Sequence, residues 1–170
     1  MSKPLLIAVL FLAPAAHAQR VAARPSTDPW EVTELTNQPS VTLQLSALNT
    51  LAVGRFQVRP LLVIRCQEHE LEVFLSTGTV LAADDSAMTT IRLQWGSGAV
   101  EESQWNRSTD SMSAFAVYPR VFLQRLSSTP DLRLEIRPSA KARESIRFNA
   151  RGLERHKPQL ASCSPKKAAP

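Results

Sequence analysis

Two cysteines and two histidines carry the spacing that most suggests a chemical site in this chain. Cys66 and His69 form a Cys-x-x-His pair, and His156 lies a short distance before Cys163. Two thiolates and two imidazoles would make a tetrahedral zinc set, although the distal spacing matches no common zinc pattern. Two cysteines in an oxidising compartment instead indicate one bridge. The sequence therefore predicts a Cys66–Cys163 disulfide, with zinc as the alternative, and no metal or other cofactor is expected.

Motifs for catalysis are weak. The chain contains no Gly-x-Ser-x-Gly, and Cys66 with His69 could serve as nucleophile and base only if the thiol were free. Asp84 and Asp85 lie in a predicted loop, but a calcium site needs about six oxygen ligands. We therefore predict that the chain is not an enzyme and has no catalytic residues. A hydrolase using His69 or His156 is a minor alternative.

The most distinctive polar string runs from Trp105 to Asp110. Trp105 could recognise a partner, or it could pack on the core with its indole N–H bonded to a loop carbonyl. Ser108 and Asp110 suit turns in which side chains bond to the backbone. Together with Arg92, Trp105 and Asp110 are the candidates for recognition or for turn support.

Positive charge is concentrated near the C-terminal end. Residues 19–136 hold ten basic and thirteen acidic side chains, whereas residues 137–170 hold nine basic and two acidic ones. Arg147, Arg151 and Arg155 are the candidate members of a basic patch for an acidic partner. A solvated, partly disordered tail would explain the same composition. A nucleic-acid partner is not expected, since this stretch has almost no aromatic residues for base stacking.

The N-terminus is typical of a secretory signal peptide, residues 1–18. Lys3 precedes an uncharged run from residue 5 to residue 13, and Ala16 and Ala18 form a small-x-small cleavage site. The run is shorter than the roughly 20 residues that span a membrane, so no transmembrane segment is expected after cleavage. We expect a periplasmic or secreted protein with a flexible lead-in at 19–29, one domain at 30–163 and a disordered basic tail at 164–170.

Short alternating segments predict a mainly β fold. A continuous apolar run at 61–64 is typical of a central strand covered on both faces, and Pro119 predicts the first turn of one short helix. We expect an antiparallel β-sandwich or curved sheet of seven to eight strands with one or two short helices. The predicted strands lie at 41–47, 61–66, 70–75, 91–95, 100–105, 112–117, 132–136 and 146–150.

An ordered series of short motifs resembles the VasI/TagO-like family of exported proteins associated with type VI secretion. The match covers roughly residues 30–163. The chain lacks the family's usual cysteine-containing segment before the tryptophan, and residues 35–38 replace acidic residues that often follow it. The matching stretches are Trp30, residues 62–66, 91–96, 105–110, 114–115, 122–126 and 148–153, and Cys163.

The resemblance implies a β-rich envelope domain in which Cys163 pairs with Cys66, and an accessory role without assigned catalytic residues. From this we expect a non-enzymatic exported accessory protein that contacts another envelope protein. A component of a type VI secretion system is one candidate for that partner. The alternative is an envelope module that binds a cell-wall glycan or an anionic lipid. The oligomeric state does not follow from the sequence.

Overall fold

The computed structural model describes residues 28–35, 40–85, 87–139 and 141–163. The predicted signal peptide 1–18, residues 19–27 of the predicted lead-in and the predicted tail 164–170 lie outside the described residues. The described part thus corresponds to the predicted β-rich domain, with Asp28 and Pro29 before it.

The described residues form eleven strands. Nine of them make one antiparallel sheet, and the other two make a separate hairpin. The strands are β1 (Trp30–Leu35), β2 (Ser40–Ser46), β3 (Leu51–Val53), β4 (Phe56–Val58), β5 (Leu61–Gln67), β6 (Glu70–Ser76), β7 (Met88–Trp95), β8 (Val100–Arg107), β9 (Ser113–Ala116), β10 (Asp131–Ile136) and β11 (Glu144–Asn149). The order across the large sheet is β1-β2-β5-β6-β9-β8-β7-β10-β11.

Alternation along the strands gives the large sheet one continuous apolar face. In β7 every second residue from Thr89 to Trp95 is buried, as expected where successive side chains point to opposite faces. The same face continues across strands, because Leu45 pairs with Leu62 and Leu62 pairs with Leu75. These three leucines are almost inaccessible, so the core lies on this inner face.

The large sheet is strongly curled. With strands about 4.8 Å apart, the edges of a flat nine-stranded sheet would lie roughly 38 Å from each other. Instead the Trp30 indole Nε1 donates to the carbonyl of Ala150, just beyond β11, at 3.4 Å. Among the described residues no ladder joins β1 to β11, so the sheet stays open. Of the two predicted forms, the described residues therefore have the curved sheet.

The loop after β2 covers the outer edge of β11. The backbone N–H of Leu48 donates to the carbonyl of Arg147 at 2.8 Å. The side-chain amide of Asn49 accepts from the N–H of Arg147 and donates to the carbonyl of Ser145, both at 2.9 Å. These bonds satisfy groups that an uncovered edge strand would offer to another chain.

Helices close the open side of the sheet. They are α1 (Pro119–Ser128), α2 (Leu153–His156) and a 3₁₀ helix (Lys157–Cys163). Leu126, Leu153 and Leu160 from these segments are buried in the core. The 3₁₀ helix ends in a disulfide from Cys163 to Cys66, with the Cα atoms 5.6 Å apart. The pairing agrees with the sequence prediction.

Strands β3 and β4 form a small hairpin that we call the finger, residues 51–58. Its two-residue turn begins at Gly54, whose φ of +59° is strained for other residues and suits this type of hairpin. At the base, Leu51 belongs to the core. Val58 packs so closely on Gly78 that a β-carbon added there would lie 2.4 Å from the valine.

All eight predicted strands are present, and the predicted helix at Pro119 is confirmed. The predicted count of seven to eight strands is wrong, because β1, β3 and β4 were not foreseen. Strands β3 and β4 have only three residues each, and Glu31, Val32 and Thr33 of β1 are all exposed. An edge strand without a covered face shows little apolar alternation, so its sequence lacks the pattern on which strand prediction depends.

Candidate functional site

The most exposed large apolar side chains among the described residues lie in two places. At the start of α1, Tyr118 and Val121 expose 74% and 64% of their surface. At the finger and the loop before it, Phe56 and Leu48 expose 61% and 59%. Exposed apolar residues that occur singly are ordinary, whereas groups of them mark interaction sites. The site at α1 has the more defined shape, because packed aromatic rings form the base of its cavity.

The start of α1 places two apolar side chains on the surface. Pro119 is the first helical residue, where its fixed φ suits the helix and its missing N–H is not needed. The N–H of Phe122 donates to the carbonyl of Tyr118 at 3.1 Å and closes the first turn. Phe122 and Leu126 face the core. Tyr118 and Val121 therefore stay exposed beside a helix face that is firmly packed.

Three aromatic rings form the base of this site. The Phe122 ring lies edge-on to both Trp95 and Trp105, with centroids 5.0 and 5.4 Å away and interplanar angles of 60° and 83°. This geometry is the favoured one for aromatic pairs. Trp105 is only 1% exposed. The rings thus fix α1 against strands β7 and β8 and give the site a rigid base.

A charged pair forms one wall of the site. Glu101 accepts from the Trp95 indole N–H at 2.8 Å and from the Arg125 guanidinium at 2.5 Å. The same guanidinium lies 4.9 Å from the centre of the Trp95 ring, which adds a cation–π contact. The hydrogen bond from Arg125 lowers the pKa of Glu101 below its ordinary value; partial burial opposes the shift, while the Trp95 bond and the Arg125 charge add to it. The carboxylate is thereby held in its charged form.

These residues enclose an open cavity of about 190 Å³, which we call the Tyr118 groove. Its acidic lining residues are already engaged, Glu101 by Arg125 and Glu102 by Arg92 at 3.7 Å. The groove is therefore better suited to burying an apolar side chain of a partner than to acid–base chemistry. Its apolar lining consists of Leu93, Trp95, Trp105, Ala116, Val117, Tyr118, Val121 and Phe122.

The candidate residue Arg92 lies in a ladder of charges on the outer face of the sheet. Its guanidinium contacts Glu135 at 3.0 Å and Glu102 at 3.7 Å, and Arg133 contacts the same Glu135 at 3.0 Å. Arg92 pairs directly across strands with both acidic residues. Cross-strand pairs of opposite charge stabilise a sheet modestly. The contacts of Arg92 therefore support strand pairing, and recognition by this residue stays a prediction.

The two ends of the polar string have different environments. Trp105 is buried in the base of the Tyr118 groove, and its indole N–H donates to the Ser103 hydroxyl at 3.2 Å. Asp110 holds a turn, since it accepts from the Ser108 hydroxyl at 2.5 Å and from the N–H of Met112 at 2.9 Å. The Ser108 bond is the main cause that lowers the pKa of Asp110. Trp105 thus reaches the candidate site from beneath, and Asp110 supports a turn.

The predicted basic patch is only partly free. Arg155 lies 3.5 Å from Asp28, which also contacts His156 at 2.9 Å. Burial by itself raises the pKa of Asp28, but the hydrogen bond from the Trp30 N–H and the contacts with His156 and Arg155 outweigh it and keep the pKa low. Within the described ranges no ion pair involves the exposed side chains of Arg147 or Arg151.

The cysteine and histidine set does not come together as a metal site. Cys66 and Cys163 share a disulfide, so neither sulfur is a thiolate that could bind zinc. His156 is held by Asp28 and by Gln159, whose Oε1 lies 3.2 Å from Nδ1. The described residues contain no group of three or more His, Cys, Asp or Glu side chains placed to hold a metal ion.

Sequence reasoning missed the exposed residues of the groove. Tyr118 is the only tyrosine of the chain and directly precedes Pro119. This position predicts a helix start, but it does not tell which side chains remain exposed. That depends on which strands of the large sheet lie beneath the helix.

No helix of the described ranges combines the length and the apolar character needed to cross a membrane. Comparisons of the chain with protein-family models, with curated proteins and with solved structures found no significant match.

Proposed function

We propose that this chain is a non-enzymatic exported accessory protein that binds another envelope protein through the Tyr118 groove, in the setting of a type VI secretion system. The observation that carries the proposal is the grouping of exposed Tyr118 and Val121 around a cavity with a buried aromatic base. Tyrosine and tryptophan are enriched where protein partners bind.

The groove has the properties of a protein-docking surface. Its base is rigid, because Phe122 is packed against Trp95 and Trp105. Binding of a partner therefore costs little conformational entropy on this side of the interface. Its rim carries Glu101 and Arg125 already paired, so an apolar side chain could enter without leaving an unpaired charge.

Two further observations support the envelope setting. The Cys66–Cys163 disulfide is of the kind that persists in oxidising compartments. The ordered motifs between Trp30 and Cys163 resemble exported proteins associated with type VI secretion, which is the basis for the proposed apparatus.

Site-specific photocrosslinking tests this proposal. A benzoylphenylalanine in place of Tyr118 should crosslink in cells to one envelope protein, identified by mass spectrometry as a component of the secretion apparatus. The same photoreactive residue in place of Val80, which is also exposed but lies outside the groove, is the matched control.

Substitutions test whether the groove, and not another part of the surface, binds the partner. Val121→Ser should reduce the crosslinked yield roughly tenfold, because burying a valine side chain against a partner contributes about 1.5 kcal/mol or more. Val80→Ser should leave the yield unchanged. Equal yields from the Tyr118 and Val80 positions, or a partner unrelated to the apparatus, would contradict the proposal.

A further inference from the structure

The finger carries an exposed aromatic side chain at its tip. The turn at Gly54 and Arg55 joins Val53 to Phe56, which pair across the hairpin. Phe56 is 61% exposed, and the Arg55 guanidinium lies 5.1 Å from the centre of its ring. The tip therefore presents an apolar ring and a cation side by side.

The surroundings of the finger are basic. Residues 47–60 contain Arg55 and Arg59 and no acidic residue. Residues 137–143 contain Arg137, Lys141 and Arg143 and again no acidic residue. The two segments touch, because the Lys141 ammonium donates to the carbonyl of Ala52 in the finger.

Part of this charge is available to a partner. In the described residues neither Arg55 nor Arg59 takes part in an ion pair. Lys141 has a single loose ion pair, with Glu144 at 3.4 Å, beside its hydrogen bond to the Ala52 carbonyl. Arg137, in contrast, contacts Asp84 at 2.5 Å. Arg55 at the tip and Arg59 just beyond the base are thus cations without an ion pair in the described part of the chain, although the Arg59 guanidinium donates to the Ala47 carbonyl at 2.7 Å.

The loop before the finger repeats the combination of apolar and basic side chains. Leu48 is 59% exposed and lines a shallow cavity of about 290 Å³ that also holds two basic residues, Arg133 and Arg147, and one acidic residue, Asp131. Those two arginines lie directly opposite each other across β10 and β11. Like charges in this position repel, and the ion pair from Arg133 to Glu135 offsets part of that repulsion.

We propose that the finger docks on an anionic phospholipid surface, with Phe56 entering the headgroup layer and Arg55, Arg59 and Lys141 contacting lipid phosphates. An aromatic ring with a polar neighbour suits the interface between water and hydrocarbon. Each basic residue near an anionic bilayer strengthens binding by about fivefold. A narrow two-residue turn can enter a fluid headgroup layer, whereas it offers little surface for a shaped partner. The inference uses a different surface from the Tyr118 groove and does not rest on the proposed function.

Vesicle sedimentation tests the inference. Protein lacking residues 1–18 should bind vesicles of phosphatidylglycerol and phosphatidylcholine, bind pure phosphatidylcholine vesicles at least about tenfold more weakly, and be released as salt is raised. Phe56→Ser should weaken binding to the mixed vesicles roughly tenfold, and Arg55→Gln about fivefold. Soluble glycerol phosphate should not compete at millimolar concentration, because it offers no layer for Phe56.

Two controls keep the outcome unambiguous. Val121→Ser in the Tyr118 groove should leave vesicle binding unchanged, and circular dichroism should show that each variant is folded. In a Phe56→Trp variant, lipids brominated near the headgroup should quench the new fluorescence on binding.

Three results would overturn the inference. They are no binding of the unmodified protein to the mixed vesicles, equal binding by Phe56→Ser, and loss of vesicle binding in Val121→Ser. Capture of a protein that Phe56→Ser fails to hold, without vesicle binding, would assign the finger to a protein partner instead. Each of these outcomes leaves the crosslinking test of the groove unaffected.

Discussion

The Tyr118 groove and the finger both expose apolar side chains, but the two regions rest on different supports. Tyr118 and Val121 lie on a helix whose Phe122 is packed between two tryptophans of the sheet. Phe56 lies at the end of a two-stranded hairpin that reaches the core only through its base at Leu51. One surface has a fixed shape and the other mainly has charge.

This difference bears on the kind of partner each region fits. A rigid cavity discriminates by shape, which is what a specific protein contact requires. A projecting tip surrounded by cations fits a surface that is negatively charged and soft enough for the tip to enter. An anionic bilayer has both properties. The protein thus presents two separable surfaces, and substitutions in one should leave binding by the other unchanged.

The largest expected effect comes from the disulfide, which supports the groove side. Cys163 is 97 residues from Cys66, and opening a loop of that length costs roughly 4–5 kcal/mol in the chain-entropy model. The Arg120 side chain donates to the Cys163 carbonyl, so α1 should loosen with the 3₁₀ helix. Guanidinium unfolding of the Cys66→Ser/Cys163→Ser variant should show this loss. In this variant, the crosslinking yield at Tyr118 should fall more than vesicle binding does. An equal fall in both would show that the disulfide supports the finger as much as the groove.

The second largest effect is a loss of stability, which should differ between the aromatic base of the groove and the tip of the finger. Trp105→Ala should destabilise the fold by about 3–5 kcal/mol, because it empties a buried site beneath Phe122. Phe56→Ala should change the free energy of unfolding by less than about 0.5 kcal/mol, since its ring is mostly exposed. Both changes in the free energy of unfolding would be measured by denaturant titration against the unmodified protein. A large loss for Phe56→Ala would show that the finger is part of the core and not a projecting hairpin.

Substitutions at two glycines test how the finger is attached to the rest of the protein. Gly78 and Gly54 have similar positive φ values, +66° and +59°. A β-carbon at Gly78 would meet Val58 at 2.4 Å, whereas one at Gly54 would meet nothing within 4 Å. Gly78→Ala should therefore cost about 1–3 kcal/mol more than Gly54→Ala, which carries the backbone strain alone. Equal thermal shifts in the two variants would mean that Val58 does not anchor the finger.

The smallest effect concerns the charged wall of the groove. Arg125 lowers the pKa of Glu101 below the ordinary 4.5. The carboxylate therefore contributes stability that is present above pH 4.5 and is lost as the pH falls through the lowered pKa. Because both side chains are more than a third exposed, Glu101→Gln should cost less than about 1 kcal/mol at pH 7. The difference from the unmodified protein should shrink below pH 4, and a difference that grows there would refute the assignment.

Local features of the sequence were sufficient for much of the fold. Alternation predicted β2, β7 and β10, and the continuous apolar run predicted β5 as a central strand. There Leu62, Val63 and Ile64 are all buried. Pro119 predicted the start of α1, and the even cysteine count predicted the disulfide. Each of these depends on the type and order of neighbouring residues, which determine backbone preference and face.

The candidate sites depend on distances that local pattern does not encode. The groove needs Trp95, Trp105 and Phe122 in one place, which requires β7 to pair with β8 and α1 to lie across both. The finger was missed because its three-residue strands are too short for a period to show. The sequence by itself determined eight of the eleven strands and the residues that face inward along them, through alternation, and the start of α1, through proline. The tertiary structure alone decided which apolar side chains remain exposed, because burial depends on how distant strands curl around the core.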